Sequence, residues 1–394
     1  MKRSFSHAEG GWRAVLLLGS VSLLIAVAGE AARGVSGPFL KQLGADAATV
    51  GVVAGLGELV GYTLRLGAGV MADRRGGPWK LLLAGSIAGA LAVPLLALAP
   101  GWRVAALLYL AERAGRAIRT PARDVLLAAA SEGVGHGPGF GVHRLLDQTG
   151  AVVGPLAAAA LYTAASGYRT AFMALVAPSV AGVALLVWMR RGYVDLGAPP
   201  RAEAGDEKLS GTFWRICAAA GLLALGTSDF ALISFHFVSK GLSGPAAIPA
   251  LYAAAMATEG VTAVALGFLE RRVGALSLLL TIVLSAASAP MVFGGAAAPL
   301  AAVSVWAAGM GGQYALLRAL VPGAVPVARR GAAFGWFNTI FGIAWFLGST
   351  VKGMLYSRSL TVLALFCVAA QVAAIPLVAS LWWRDSRRSE RSAL

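Results

Sequence analysis

Along the chain, apolar residues come in runs of roughly 20, each long enough to cross about 30 Å of hydrocarbon as a helix. Polar residues gather in short breaks between the runs. Twelve runs can be traced, covering approximately Trp12–Leu40, Ala47–Ala72, Trp79–Ala99, Trp102–Thr120, Gly139–Ala165, Tyr168–Trp188, Thr212–Lys240, Pro245–Leu269, Gly274–Phe293, Pro299–Val321, Gly331–Tyr356 and Leu360–Trp383. The pattern predicts an all-α membrane protein with twelve transmembrane helices. Pro121–Glu132 begins polar and reads as a cytoplasmic extension, with Pro121 in the first turn of a new helix. Gly133–Gly139 reads as a glycine-rich loop. The longest polar stretch, Arg190–Leu209, marks the boundary between halves. It sets an N-terminal six-helix bundle at 1–190, a cytoplasmic linker at 191–210, and a C-terminal six-helix bundle with a short basic tail at 211–394. No gap between runs is long enough for a soluble domain, which needs about 50 residues or more.

Composition agrees with this reading. The 394 residues are 58% hydrophobic and 13% charged, against roughly a quarter charged in a soluble domain. The net charge of +15 would suggest nucleic acid in a soluble protein. Here the basic residues fall in alternate loops: Lys2 and Arg3, Arg74 to Lys80, Arg119 and Arg123, Arg190 to Lys208, Arg271 and Arg272, Arg329 and Arg330, and the tail. The other loops hold about one each. That asymmetry puts both termini in the cytoplasm and gives the bilayer, not nucleic acid, as the partner. Lys2, Arg3 and the run to Ala28 mimic a secretory signal, but the run continues through Phe39 and eleven more follow. Cys217 and Cys367 lie in apolar runs and suggest neither a disulfide framework nor a metal motif.

The two halves echo each other. Asp73-Arg74-Arg75 matches Glu270-Arg271-Arg272, and Phe140, Gly141 and Gly154 match Phe334, Gly335 and Gly348. Both offsets are roughly 195 residues, as expected of two six-helix halves related by an axis along the membrane normal, with a substrate site near mid-membrane. At these positions the chain resembles the major facilitator superfamily. Gly69, Asp73, Arg74, Gly76 and Lys80 are similar to its signature after the second helix, although Pro78 and Trp79 replace basic residues. Arg113 resembles the membrane arginine that the family ties to proton coupling, with Ala117 in place of a glycine. Gly150-Ala-Val-Val-Gly154-Pro155 looks like the antiporter signature. The resemblance covers essentially the whole chain. It implies two pseudo-symmetric bundles, alternating access, and export in exchange for protons.

Ionisable residues inside the runs are costly, so each is a functional candidate. Asp147 is the first choice for proton coupling. His143 precedes it by one turn on the same face, and Arg113 is in reach across the connection between helices; a fixed packing ion pair with Arg144 or Arg113 is the alternative. Glu30 and Asp229 occupy comparable places, about 25 Å along helices 1 and 7 at about 1.5 Å per residue. They face substrate or an outer gate, unless Glu30 simply pairs with Arg33. His236 lies two turns beyond Asp229 on the same face, unless it is simply an interfacial histidine. Glu58, Glu259, Gln313, Tyr314, Asn338 and Trp345 complete the candidate cavity. Glu112 and Arg116 form a structural pair at helical spacing. The aromatics Trp336, Phe337, Phe341, Trp345 and Phe346 read as lipid-facing or packing side chains. Gly69, Asp73, Arg74, Gly76, Arg123, Asp124, Glu270 and Arg271 form a cytoplasmic gate, with Asp73 near a helix N-terminus.

These residues predict a monomeric secondary transporter of the cytoplasmic membrane that exports a small molecule against protons and needs no cofactor. Two alternatives stay open: a divalent metal exporter built on His143, Asp147, Asp229, His236 and Glu30, and an importer or uniporter of a polar solute. An enzyme is excluded for want of a zinc helix, a serine nucleophile elbow or a phosphate loop.

Overall fold

The computed structural model describes residues 7–72, 77–132, 134–165, 167–193, 209–273, 276–295, 298–326 and 330–381. These residues are almost entirely helical, and no strand occurs among them. The helices are α1 (His7–Gln42), α2 (Ala47–Ala72), α3 (Gly77–Leu95), α4 (Trp102–Ala130), α5 (His136–Ala165), α6 (Tyr168–Ala174), α7 (Val176–Gly192), α8 (Gly211–Gly226), α9 (Phe230–Ser239), α10 (Ile248–Val273), α11 (Leu276–Phe293), α12 (Pro299–Ala324), α13 (Arg330–Tyr356) and α14 (Leu360–Ala373). A 3₁₀ turn at Leu96–Leu98 extends α3. Eight spans are long and apolar enough to cross a membrane by length and composition alone. α4 and α5 are not among them.

Three of the twelve expected helices are interrupted, the twelfth of them at Ala374. The sixth is broken at Leu175 into α6 and α7. Pro178 has no N–H for the Ala174 carbonyl, which ends the ladder there. The seventh is broken at 227–229 into α8 and α9. Thr227 turns its hydroxyl back onto the Leu223 carbonyl at 2.8 Å, a local bond that competes with helix continuation. One expected break is missing. α4 runs through Pro121 to Ala130, so Pro121 does not begin a new helix. An interior proline costs about 3 kcal/mol, and here burial offsets it. Ala122, Leu126, Leu127 and Ala130 join Val15, Leu18, Trp79, Leu82, Leu186 and Met189 in one apolar cluster. The two leucines, at roughly 1.5–3 kcal/mol each, are enough to match or exceed the proline penalty. Arg119, read from sequence as a loop charge, is buried within the same helix.

The chain forms two compact units. One comprises the described parts of Met1–Gly44, Val60–Arg201 and Ala246–Ala253; the other, those of Ala45–Leu59, Ala202–Pro245 and Ala254–Leu394. α2 and α10 each contribute to both. In the first unit α1 lies along α5 and α7, and α3 along α4 and α7. In the second, α8 lies along α13 and α14, and α11 along α12 and α14. The same pairing scheme thus occurs twice. Glycine explains how the long pairs come so close. A Cβ on Gly154 would overlap the Val27 carbonyl of α1, and a Cβ on Gly348 would overlap the Leu225 carbonyl of α8.

Candidate functional site

In the first unit the polar residues gather around Arg116. Its guanidinium forms a short ion pair with Glu30 of α1 and bonds Glu112 at 3.0 Å, one turn back on α4. The expected Glu112–Arg116 pair is present, and Glu30 finds its partner on α4 rather than in Arg33 alone. Arg33 remains within electrostatic reach of both Glu30 and Arg116. The second Glu30 oxygen accepts from the Tyr252 hydroxyl at 2.8 Å. Gly29 leaves room for Arg116 against α1, since a Cβ there would lie 2.6 Å from Nη2. His143 is buried, and its Nε2 lies 2.8 Å from the Ser22 hydroxyl of α1. Asp147 accepts from Arg144 at 3.4 Å on its own helix and is only partly buried. Arg119 and Arg123 lie within its electrostatic reach. Arg113 packs beside Gly61.

The second unit holds a denser polar network, centred on the break between α8 and α9. Asp229 stands at the N-cap of α9, yet its carboxylate makes no capping bond. It turns instead to α13. Trp345 Nε1 donates to one oxygen at 2.7 Å, and the Ser349 hydroxyl donates to the other. One turn further along α13, the Lys352 ammonium donates to the Leu225 carbonyl at 3.1 Å and to the Thr227 carbonyl. Trp345, Ser349 and Lys352 are spaced four and three residues apart, so they share one face of α13. Gln371 of α14 donates to the Leu223 carbonyl at 3.0 Å and to the Thr227 hydroxyl at 3.1 Å. Gln313 of α12 donates to Gln371 at 2.9 Å and to Ser285 at 2.8 Å. Trp306 Nε1 donates to the Ser228 carbonyl at 2.8 Å. The freed backbone of the break is thereby bonded from three neighbouring helices, the condition for irregular backbone at membrane depth.

Other candidates fall around this network. Glu58 is buried and within electrostatic reach of Asp229. Glu259 lies where α10 meets Gly311 of α12. Asn338 accepts from Arg318 at 2.7 Å. His236 is buried, with Nδ1 at 3.0 Å from the Tyr356 hydroxyl and its ring edge-on to Phe293. Phe337, Phe341 and Trp345 form a buried ring series, with Phe337 and Phe341 stacked; only Trp336 of these four is exposed. Among the described residues no three His, Cys, Asp or Glu side chains come together as a metal would require. Of the gate, Arg123 pairs with Asp124 at 2.8 Å, and Gly69 faces Pro121. Asp73, Arg74 and Gly76 lie outside the described residues, as do the side chains of Glu270, Arg271 and Tyr314.

The residues that sequence reasoning passed over are Lys352, Ser349, Gln371 and Tyr252. Lys352 is a lone cation in an otherwise apolar run, a visible signal of function. The other three are ordinary polar residues whose importance arises only from what they meet.

A family model described as the Major Facilitator Superfamily matches residues 19–349. An uncharacterised protein of Mycobacterium tuberculosis is 38% identical over 385 residues, covering 94% of this chain and 93% of its own length. An uncharacterised transporter of the same superfamily type from Methanocaldococcus jannaschii is 28% identical over 140 residues, covering 36% of this chain and 35% of its own. Among solved structures, a peptide-bound transporter of the POT family superposes with a TM-score of 0.76 at 11% identity, covering 95% of this chain and 96% of its own. At that identity the likeness concerns the fold.

Proposed function

Because the chain belongs to the major facilitator superfamily, it is a multi-pass membrane transporter of small solutes, and we propose that it exports its solute from the cytoplasm in exchange for protons. In this reading both termini are cytoplasmic and the working unit is one chain. The observation that carries proton coupling is Asp229: a buried carboxylate, 7% exposed, at a break in a membrane helix, bonded by two neutral donors. An ionised carboxylate only accepts, whereas a protonated one must also donate. The Ser349 hydroxyl can reverse to accept from the protonated oxygen, while Trp345 Nε1 goes on donating to the other. Proton uptake at Asp229 therefore breaks no ion pair. It does reset the bonds between α13 and the break, which gives the proton a lever on helix position. Glu30, by contrast, would have to give up Arg116, and Asp147 would have to give up Arg144. The reading accordingly assigns the proton to Asp229 before Asp147. Export is supported by the antiporter-like Gly150, Gly154 and Pro155.

The test is solute-induced proton movement in proteoliposomes carrying a trapped pH-sensitive dye. The wild-type protein should show proton flux opposite to the solute for at least one member of a broad panel of organic solutes. Asp229→Asn should remove that flux. Full flux in the asparagine variant would end the assignment.

A further inference from the structure

The last carbonyls of a helix have no partner within it, and they carry the negative end of the helix dipole. In membrane proteins, unwound carbonyls and the C-terminal ends of interrupted helices are the groups that hold small monovalent cations. α8 ends in this way at 225–227, and the groups that meet its carbonyls come from α13 and α14. Lys352, which is 0% exposed, has its ammonium on the carbonyls of Leu225 and Thr227. Asp229 lies within electrostatic reach, yet among the described residues Lys352 makes its bonds to the two carbonyls. A primary ammonium on two backbone oxygens, beside a carboxylate and sealed from solvent, stands where a bound cation would stand. Gly348 makes the placement possible, because its bare Cα lets α13 close onto the Leu225 carbonyl one turn from the lysine.

We propose that the break between α8 and α9 is a monovalent-cation niche whose occupant is the chain's own Lys352 ammonium. The tethered cation holds the ends of the broken helix in register and leaves no place for sodium. Coupling then falls to protons at Asp229; this last consequence rests on the proton-coupled reading, while the niche itself does not.

The experiment is thermal unfolding of the full-length, detergent-purified protein in sodium, methylammonium or choline chloride at equal ionic strength. Choline is too large for the niche and serves as the blank. The wild-type midpoint should be the same in all three salts. Lys352→Ala should unfold several degrees lower in choline and recover at least half of that loss in sodium or methylammonium. Lys352→Met keeps the stem and empties the ammonium's place, so it should behave likewise and makes the same test if the alanine variant does not fold. Three results would overturn the niche: a wild-type midpoint that rises in sodium, a variant as stable as wild type in choline, or a variant lowered equally in every salt. Measuring solute-induced proton flux in wild type and Asp229→Asn separates the two ideas. A normal flux result with no salt rescue rejects the niche and leaves proton coupling standing; salt rescue with no proton flux does the reverse.

Discussion

Glu30 and Asp229 occupy corresponding places in the two units and are held in opposite ways. Glu30 is bound by a guanidinium, Asp229 by an indole and a hydroxyl. Removing one member of a buried pair strands the other charge, at about 3–5 kcal/mol. Because Glu112 also holds Arg116, Glu30→Gln is expected at the lower end, about 3 kcal/mol. Chemical denaturation should also show Glu30→Gln/Arg116→Gln losing less than the sum of its single variants. At Asp229, Trp345→Phe keeps an aromatic side chain but removes one donor and one of the indole's two rings. Stability should fall by about 1–3 kcal/mol, while solute-induced proton flux drops clearly. Unchanged flux would mean that the indole bond is packing detail. The acidic residues and Trp345 were legible as polar or bulky interruptions of apolar runs. Their partners were not, because the hydrogen bonds from α13 to the N-cap of α9 link positions 116 and 120 residues apart.

At the scale of the helix, glycine and proline acted in different ways from their usual reading. Pro121 sits inside α4 because burial of Leu126 and Leu127 outweighs it, whereas the break in the seventh span has no proline and follows from Thr227, Ser228 and Asp229. Gly154 and Gly348 set the approach of α5 to α1 and of α13 to α8. Gly348→Ala should cost about 1–3 kcal/mol by overpacking. It should impair transport more than Gly154→Ala does, since it also displaces Lys352; equal effects would count against the lysine's role. At the start of α2, the Thr49 side chain and its N–H, the latter at 2.8 Å, both bond Asp46 and hold its carboxyl below the usual range. The stabilisation is therefore present above about pH 4 and fades as acid titrates the lowered group. Asp46→Ala should cost about 0.5–1 kcal/mol at neutral pH and nothing in strong acid, a difference that thermal melts across pH would reveal.

Across the whole molecule the same pairing of helices is built twice, from halves that share little beyond their glycines and their charged turns. The repeat places Glu30 and Asp229 alike, but among the described residues only the second unit sets its acidic residue at a helix break that a buried lysine also meets. Under the proposed function the two units therefore carry unequal parts. Light scattering of the purified chain in detergent should give the mass of one copy; a stable dimer would contradict the single-chain working unit. The apolar runs and their glycine punctuation determined, by themselves, the helix number, the membrane setting and the repeat. These are properties of local composition, since about 20 apolar residues suffice to span the bilayer. Tertiary structure alone decided which charges are paired, where the seventh span breaks, and that Lys352 satisfies the break. Those outcomes depend on groups far apart in sequence meeting in a medium where no water can take a partner's place.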